Sequence, residues 1–214
     1  MVRFALDIDG VVANYRQGIH DLTQQLGIGP LAQPVGLEPE ALDALMEERQ
    51  AEVQKTLSDW IGGHVEEFWG GLGLLASPDD FRAIRTAVAQ GHALFWVSSR
   101  PSLGRMEGVV ADVTLNWLQQ HHFPANEFNV ILTPKKSGVL REQHIQYHLD
   151  DLVPHATEVA FNSEATVYLL KQPWNRRMIF RNPDEPEYTA SAGAFGIPEV
   201  DSIAEYITLI TGGK

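Results

Sequence analysis

The chain predicts an α/β fold, a doubly wound parallel sheet with a small helical cap inserted after the first strand. Three observations carry this expectation. Short apolar runs recur along the chain, and each ends in polar or charged residues, as buried strands do. Between them lie amphipathic stretches with helix start and stop signals, and alternating strands and helices imply parallel pairing through crossovers. Only the stretch from Tyr15 to about Leu75 lacks any strand pattern.

The first strand is Val2–Leu6, apolar and short. Helical patterns follow, such as the run from Glu40 to Arg49, interrupted by Gly27, Gly29, Pro30, Pro34, Gly36 and the Gly62-Gly63 pair. At Ser77-Pro78-Asp79-Asp80 a helix starts, with a capping serine, proline in the first turn and acids near the positive helix end. Phe81, Ile84 and Val88 fall on one face of it, and Gly91 terminates it. A strand over His92–Val97 ends at Ser98-Ser99-Arg100-Pro101. A helix over Val109–Gln120 leads to a strand at Phe128–Leu132, ending at Thr133. Further strands read at Ile145–Leu149, before Asp150-Asp151, and at Thr166–Leu170, before Lys171-Gln172-Pro173. The Pro-rich stretch Asn182–Ala194 reads as a loop, and Ser202 with Glu205 as a capping box opening a last helix. The expected organisation is a core of residues 1–14 and 77–214 with a cap over 15–76.

Composition narrows the function classes. A formal charge of −12 disfavours a long nucleic-acid surface, which needs clustered Lys and Arg. Zero cysteines excludes disulfides and thiolate metal sites. No apolar run approaches the roughly 20 residues that span a bilayer, and the first residues lack the pattern of a signal peptide. A cytoplasmic protein with no membrane and no nucleic-acid polymer as partner is expected.

The chemistry gathers where strands end. In a strand, alternate side chains share a face, so Asp7 and Asp9 face one way and Ile8 the other. Two adjacent carboxylates repel unless a cation or a shared proton offsets them. Mg²⁺ is the natural cation for hard oxygen ligands. In parallel sheets ligands bind beyond the carboxyl ends of the strands, and Asp7, Asp9, Ser98, Lys136, Asp150 and Asp151 all fall there.

Asp7-x-Asp9-Gly10-Val11, the strand-end Ser98, a lysine near 136 and Asp150-Asp151, in that order, resemble the four motifs of haloacid dehalogenase (HAD) superfamily phosphatases. Over about residues 1–180 the chain is similar to the small deoxyribonucleotide 5′-nucleotidases. The phrases carrying this are Asp7–Tyr15, Glu67-Phe68-Trp69, Val97–Ser99, Ile131–Ser137 and Leu149–Asp151.

The resemblance implies Asp7 as nucleophile, forming an aspartyl-phosphate, and Asp9 as general acid and base; both roles also suit these residue types. Ser98, with Ser99 as its rival, would donate to a phosphate oxygen. Lys136, favoured over Lys135 by its distance from Thr133, would neutralise the carboxylates and the phosphoryl charge. Mg²⁺ would be held by Asp7, the Asp9 carbonyl, and Asp150 as the direct ligand, with Asp151 outside it or alternating with it. Tyr15, Phe68 and Trp69 match positions that line the base pocket, where rings stack on nucleobases. Arg100 stands where a small or apolar residue is expected, and suggests a second phosphate or a carboxylate on the substrate. The Gly70-Gly71-x-Gly73 run suggests a flexible exit from the cap. His144 and His148 would pair as metal ligands only on a helix, so on this strand they read as surface histidines. The implied substrate is a small phosphorylated molecule, a nucleotide first and a sugar phosphate second. A catalytically silent binding protein is the reading from another class, and the chain leaves room for a homodimer.

Overall fold

The computed structural model describes residues 1–28, 39–101, 107–175, 178–180, 188–190 and 195–212. Six strands form one parallel sheet: β1 (Arg3–Leu6), β2 (Ala93–Ser98), β3 (Val130–Leu132), β4 (Tyr147–Asp150), β5 (Thr166–Leu170) and β8 (Glu199–Val200). Their order is β3-β2-β1-β4-β5-β8. The chain thus builds outward from β1 on one side and crosses back to β4 on the other. Such a reversal opens a crevice at the strand ends, here between β1 and β4.

Alternation along the strands assigns the two faces. Phe4, Leu6, Leu94 and Trp96 join one buried cluster with residues of α4 (Pro78–Ala89), α5 (Glu107–Gln120) and α8 (Ile203–Thr211). Ala5, Phe95 and Val97 point the other way, into a cluster with α6 (Lys136–Glu142) and α7 (Val153–Asn162). Both faces are covered, as the near-continuous apolar strands require.

Three helices separate β1 from α4 in the chain: α1 (Tyr15–Gln25), α2 (Pro39–Gly63) and α3 (Val65–Gly70). This insert enters and leaves through a backbone stem, in which Leu75 N–H donates to Val12 O at 2.8 Å and Asn14 N–H to Gly73 O at 2.8 Å. The exit is therefore pinned, despite the glycines that suggest freedom there. Within it, Gly71 N–H donates to Glu67 O, and a side chain at Gly71 would collide with that carbonyl. Phe68, Trp69 and Leu72 are buried in the same apolar cluster as Trp117 and Leu118 of α5.

The structure differs from the sequence reading in several elements. Residues of the stretch Asn182–Ala194 read as loop include β7 (Tyr188–Ala190), which pairs antiparallel with β6 (Met178–Phe180). Helices α6 and α7 and the two-residue β8 are additions. Ser202 does cap α8 by accepting from Glu205 N–H, but the Glu205 carboxylate takes the Asp201 N–H, so the reciprocal box is not closed. At α4 the box is complete: Ser77 Oγ accepts from Asp80 N–H, and Asp80 Oδ2 accepts from Ser77 N–H at 3.0 Å. Asp80 Oδ1 also accepts from Ala204 N–H at 2.9 Å, tying α4 to the start of α8. Replacing Asp80 by Ala should therefore cost about 2 kcal/mol of unfolding free energy, as a lost cap plus a lost buried acceptor. Urea unfolding measures this, with Asp79→Ala as the exposed control, expected to cost under about 0.5 kcal/mol.

Candidate active site

Asp7 follows β1 directly and is buried. Its Oδ1 accepts from Ile8 N–H at 2.7 Å, and its Oδ2 lies 2.8 Å from Lys136 Nζ. Lys136 opens α6, where the positive helix end disfavours a cation. What holds it there is a second carboxylate, Asp150 Oδ2 at 2.7 Å. Lys135, its rival in the sequence, is the residue before the helix and is exposed.

Asp150 and Asp151 diverge, as neighbours at a strand end must. Asp150 is fully buried and its oxygens are occupied from inside the protein. Oδ2 takes Lys136 and, at 3.1 Å, His148 Nε2; Oδ1 takes Leu152 N–H at 2.9 Å. Asp151 instead faces a cavity of about 560 Å³ that Asp7, Asp9, Ser98 and Ser99 also line. Its Oδ2 accepts from Trp174 Nε1 at 2.7 Å, while its Oδ1 is buried without a hydrogen-bond partner among the described residues. Gly10 leaves room for this carboxylate: its φ is +78°, and a side chain there would run into Asp151. The loop after β5 completes the support, with Gln172 donating to Gly10 O and Asn175 to Asp151 O.

Asp9 sits two residues beyond Asp7 on the cavity wall, held by Arg100. Arg100 Nε and Nη2 donate to Asp9 Oδ2 and Oδ1 at 2.9 and 2.8 Å, and Nη1 donates to Thr114 Oγ1 at 3.0 Å. Arg100 thus spends its charge on an internal carboxylate rather than presenting it to a second anion. Ser98 Oγ lies 3.5 Å from Asp9 Oδ2, and Ser99 Oγ is buried with no hydrogen-bond partner among the described residues. Of the aromatic residues, Tyr15 and Trp69 line the cavity and stack on each other at 5.7 Å. Phe68 is packed edge-on beneath them, outside the lining.

Two histidines escape the sequence reading. His148 is completely buried against Asp150 rather than at the surface, and His155 lines the cavity with Nδ1 3.9 Å from Asp150 Oδ1. The alternation of β4 could have indicated His148. His155 had no signal, since α7 was not foreseen.

No protein-family model matches the chain, and no curated protein matches its sequence. Solved structures do. A phosphonoacetaldehyde hydrolase-like protein from Oleispira antarctica matches over 99% of this chain and 92% of its own, with a TM-score of 0.56 at 15% identity. A HAD-superfamily hydrolase of subfamily IA, variant 1, from Geobacter sulfurreducens matches over 98% and 96%, with a TM-score of 0.51 at 13% identity. A haloacid dehalogenase-like family hydrolase from Streptococcus pneumoniae covers 79% and 85%, with a TM-score of 0.51 at 11% identity. The fold is that of the HAD-like hydrolases.

With all four ionised, Asp7, Asp9, Asp150 and Asp151 outnumber Lys136 and Arg100 by two charges. The crowding shows in protonation. Burial pushes Asp7 up to about 6, against the pull of Lys136, with Asp150 and Asp9 adding to the rise. Burial and then the charges of Asp150 and Asp7 push Asp151 up to about 8. Asp150 goes the other way: burial alone would raise it, but Lys136 and His148 hold it well below the carboxylate range. Lys136 is kept charged because Asp150 and Asp7 more than offset its burial. Oxygens of Asp7 and Asp150 and a nitrogen of His155 lie within 4.8 Å of one another. Lys136 bonds to the same two carboxylates, while Asp151 Oδ1, with no partner among the described residues, belongs to a carboxylate that lines the cavity with Asp7.

Carboxyls raised in the fold stabilise it fully below the unfolded value near 4 and lose that contribution as pH rises through the folded values. Protein kept in a chelator should therefore lose thermal stability between about pH 6 and pH 8. The stabilisation by added Mg²⁺ should widen over the same interval. Differential scanning fluorimetry at paired pH values tests this, and a gap that does not change with pH would count against a cation at Asp7 and Asp151.

Proposed function

We propose that the protein is a Mg²⁺-dependent phosphomonoester hydrolase that works through an aspartyl-phosphate on Asp7, with a (deoxy)nucleoside monophosphate as its favoured substrate. The observation that carries this is the placement of Asp7 and Asp9 on one cavity wall, with Asp7 held from behind by Lys136.

Asp7 is oriented by Ile8 N–H and Lys136, and each of its oxygens keeps a lone pair for attack. As the new oxygen–phosphorus bond forms, the ester P–O bond breaks and Asp9 gives its proton to the departing alkoxide. Water then attacks the phosphorus and Asp9 takes its proton, releasing inorganic phosphate and restoring Asp7. Ser98 and Ser99 supply hydroxyl donors for the phosphoryl oxygens, and the unpartnered Ser99 Oγ has a donor to spare. Mg²⁺ would be held by Asp7, the Asp9 carbonyl and Asp151, and would supply charge for the phosphoryl group. Asp150 then serves to fix Lys136.

The helical insert acts as the lid over this site. Ser58, Ile61, Val65 and Trp69 from α2 and α3 line the cavity opposite the strand ends, where they shield the acyl-phosphate from stray water. The cavity is far larger than a phosphate group, and the Tyr15–Trp69 stack gives it a flat apolar wall suited to a nucleobase.

Phosphate release from a panel of deoxynucleotides and sugar phosphates tests the reading. Release should need both Mg²⁺ and Asp7, with Asp7→Asn reducing kcat by at least about 1000-fold. Trp69→Ala should raise KM for nucleotides by about tenfold while leaving sugar phosphates little changed. A ranking led by sugar phosphates would reassign the substrate.

A further inference from the structure

The buried Arg100 is not needed by any step above, yet it is among the most completely bonded groups at the site. Its side chain is fully buried, whereas that of Asp9 is 19% exposed. Two of its nitrogens take both oxygens of Asp9 in a fork, and a third takes Thr114 of α5. The Cζ of Arg100 lies over the Trp69 ring, 4.7 Å from its centroid, and Trp69 stacks in turn on Tyr15. The arginine is thus clamped on its edge by a core helix and on its face by the insert, and it presents one rigid fork to one carboxylate.

The geometry points to Arg100 as the positioning residue for Asp9, setting the plane and direction of its carboxyl so that the position left free for its proton faces the leaving oxygen. This rests on the phosphomonoesterase reading given above. A carboxylate offers about four lone-pair sites and a bidentate guanidinium uses two, so Asp9 stays competent while losing its freedom to rotate. Lysine, a single point charge on a flexible stem, cannot hold both oxygens and Thr114 at once. The same contacts keep Arg100 from serving as the receptor for a second anion on the substrate.

Proton donation to the leaving group matters most for alkyl esters, whose alkoxides are poor leaving groups, and least for aryl esters such as p-nitrophenyl phosphate. Wild type, Arg100→Lys, Arg100→Ala and Asp9→Asn would be compared on p-nitrophenyl phosphate and on an alkyl phosphomonoester. Both arginine variants should lose about 100-fold in kcat/KM on the alkyl ester, the parameter that covers only the steps up to departure of the alkoxide. The loss in kcat/KM on the aryl ester should be at least about tenfold smaller, because hydrolysis of the aspartyl-phosphate, common to both esters, does not enter that parameter. Added guanidinium should partly restore Arg100→Ala on the alkyl ester alone.

Equal losses on both esters, tracking a lowered melting temperature, would make Arg100 a purely structural residue and overturn the inference. A raised KM with kcat intact would make it a substrate-binding group and overturn it as well. If wild type turns over the aryl ester in an Asp7-dependent way, either failure belongs to Arg100 alone. Inert wild type would remove the parent reading and this inference with it.

Discussion

Two buried cations hold three carboxylates in a space where they would otherwise expel one another. Lys136 bridges Asp7 and Asp150 from behind, and Arg100 grips Asp9 from the side. Burying a charge is tolerable only when it is paired and hydrogen-bonded, and each of the two has that arrangement. The rest of the site follows. Asp150 is free to cap α7 because Lys136 and His148 keep it ionised, and Asp151 is left facing the cavity with an unfilled oxygen.

The pairing also divides labour within the acidic cluster. Asp7 and Asp151, raised by burial, are the groups whose charge depends on something entering the cavity. Asp150 and Asp9 are already committed to protein partners. Adjacent residues of one dipeptide, Asp150 and Asp151, thus point into different surroundings: one is bonded within the scaffold and the other lines the cavity.

The strands and the residues at their ends were legible because their signals are local. An apolar run, a break and then Asp7, Ser98 or Asp150 can be read without knowing any neighbour. What was hidden depends on distant partners. Helix α7 has no capping side chain of its own at Leu152, and the N–H of Leu152 is taken by Asp150, which belongs to β4. The two-residue β8 and the three-residue β6 and β7 are too short to show alternation. Arg100 reads as a charge for a second anion on the substrate, and its burial becomes intelligible only with Asp9, Thr114 and Trp69 around it. His148, placed at the surface by a reading of β4 as a weak strand, is buried because β4 lies at the centre of the sheet between β1 and β5.

The stem at the base of the insert bears on how the chain finds its fold. Leu6 must pair with Trp96 although the whole helical insert intervenes. Closing so long a loop costs entropy before any contact compensates for it. Once Val12 and Asn14 have met Leu75 and Gly73, the ends of the insert are fastened together. The loop that remains between β1 and β2 is then short, in effect an ordinary crossover. The stem turns a distant pairing into a near one, so the central strands can assemble as though the insert were not there.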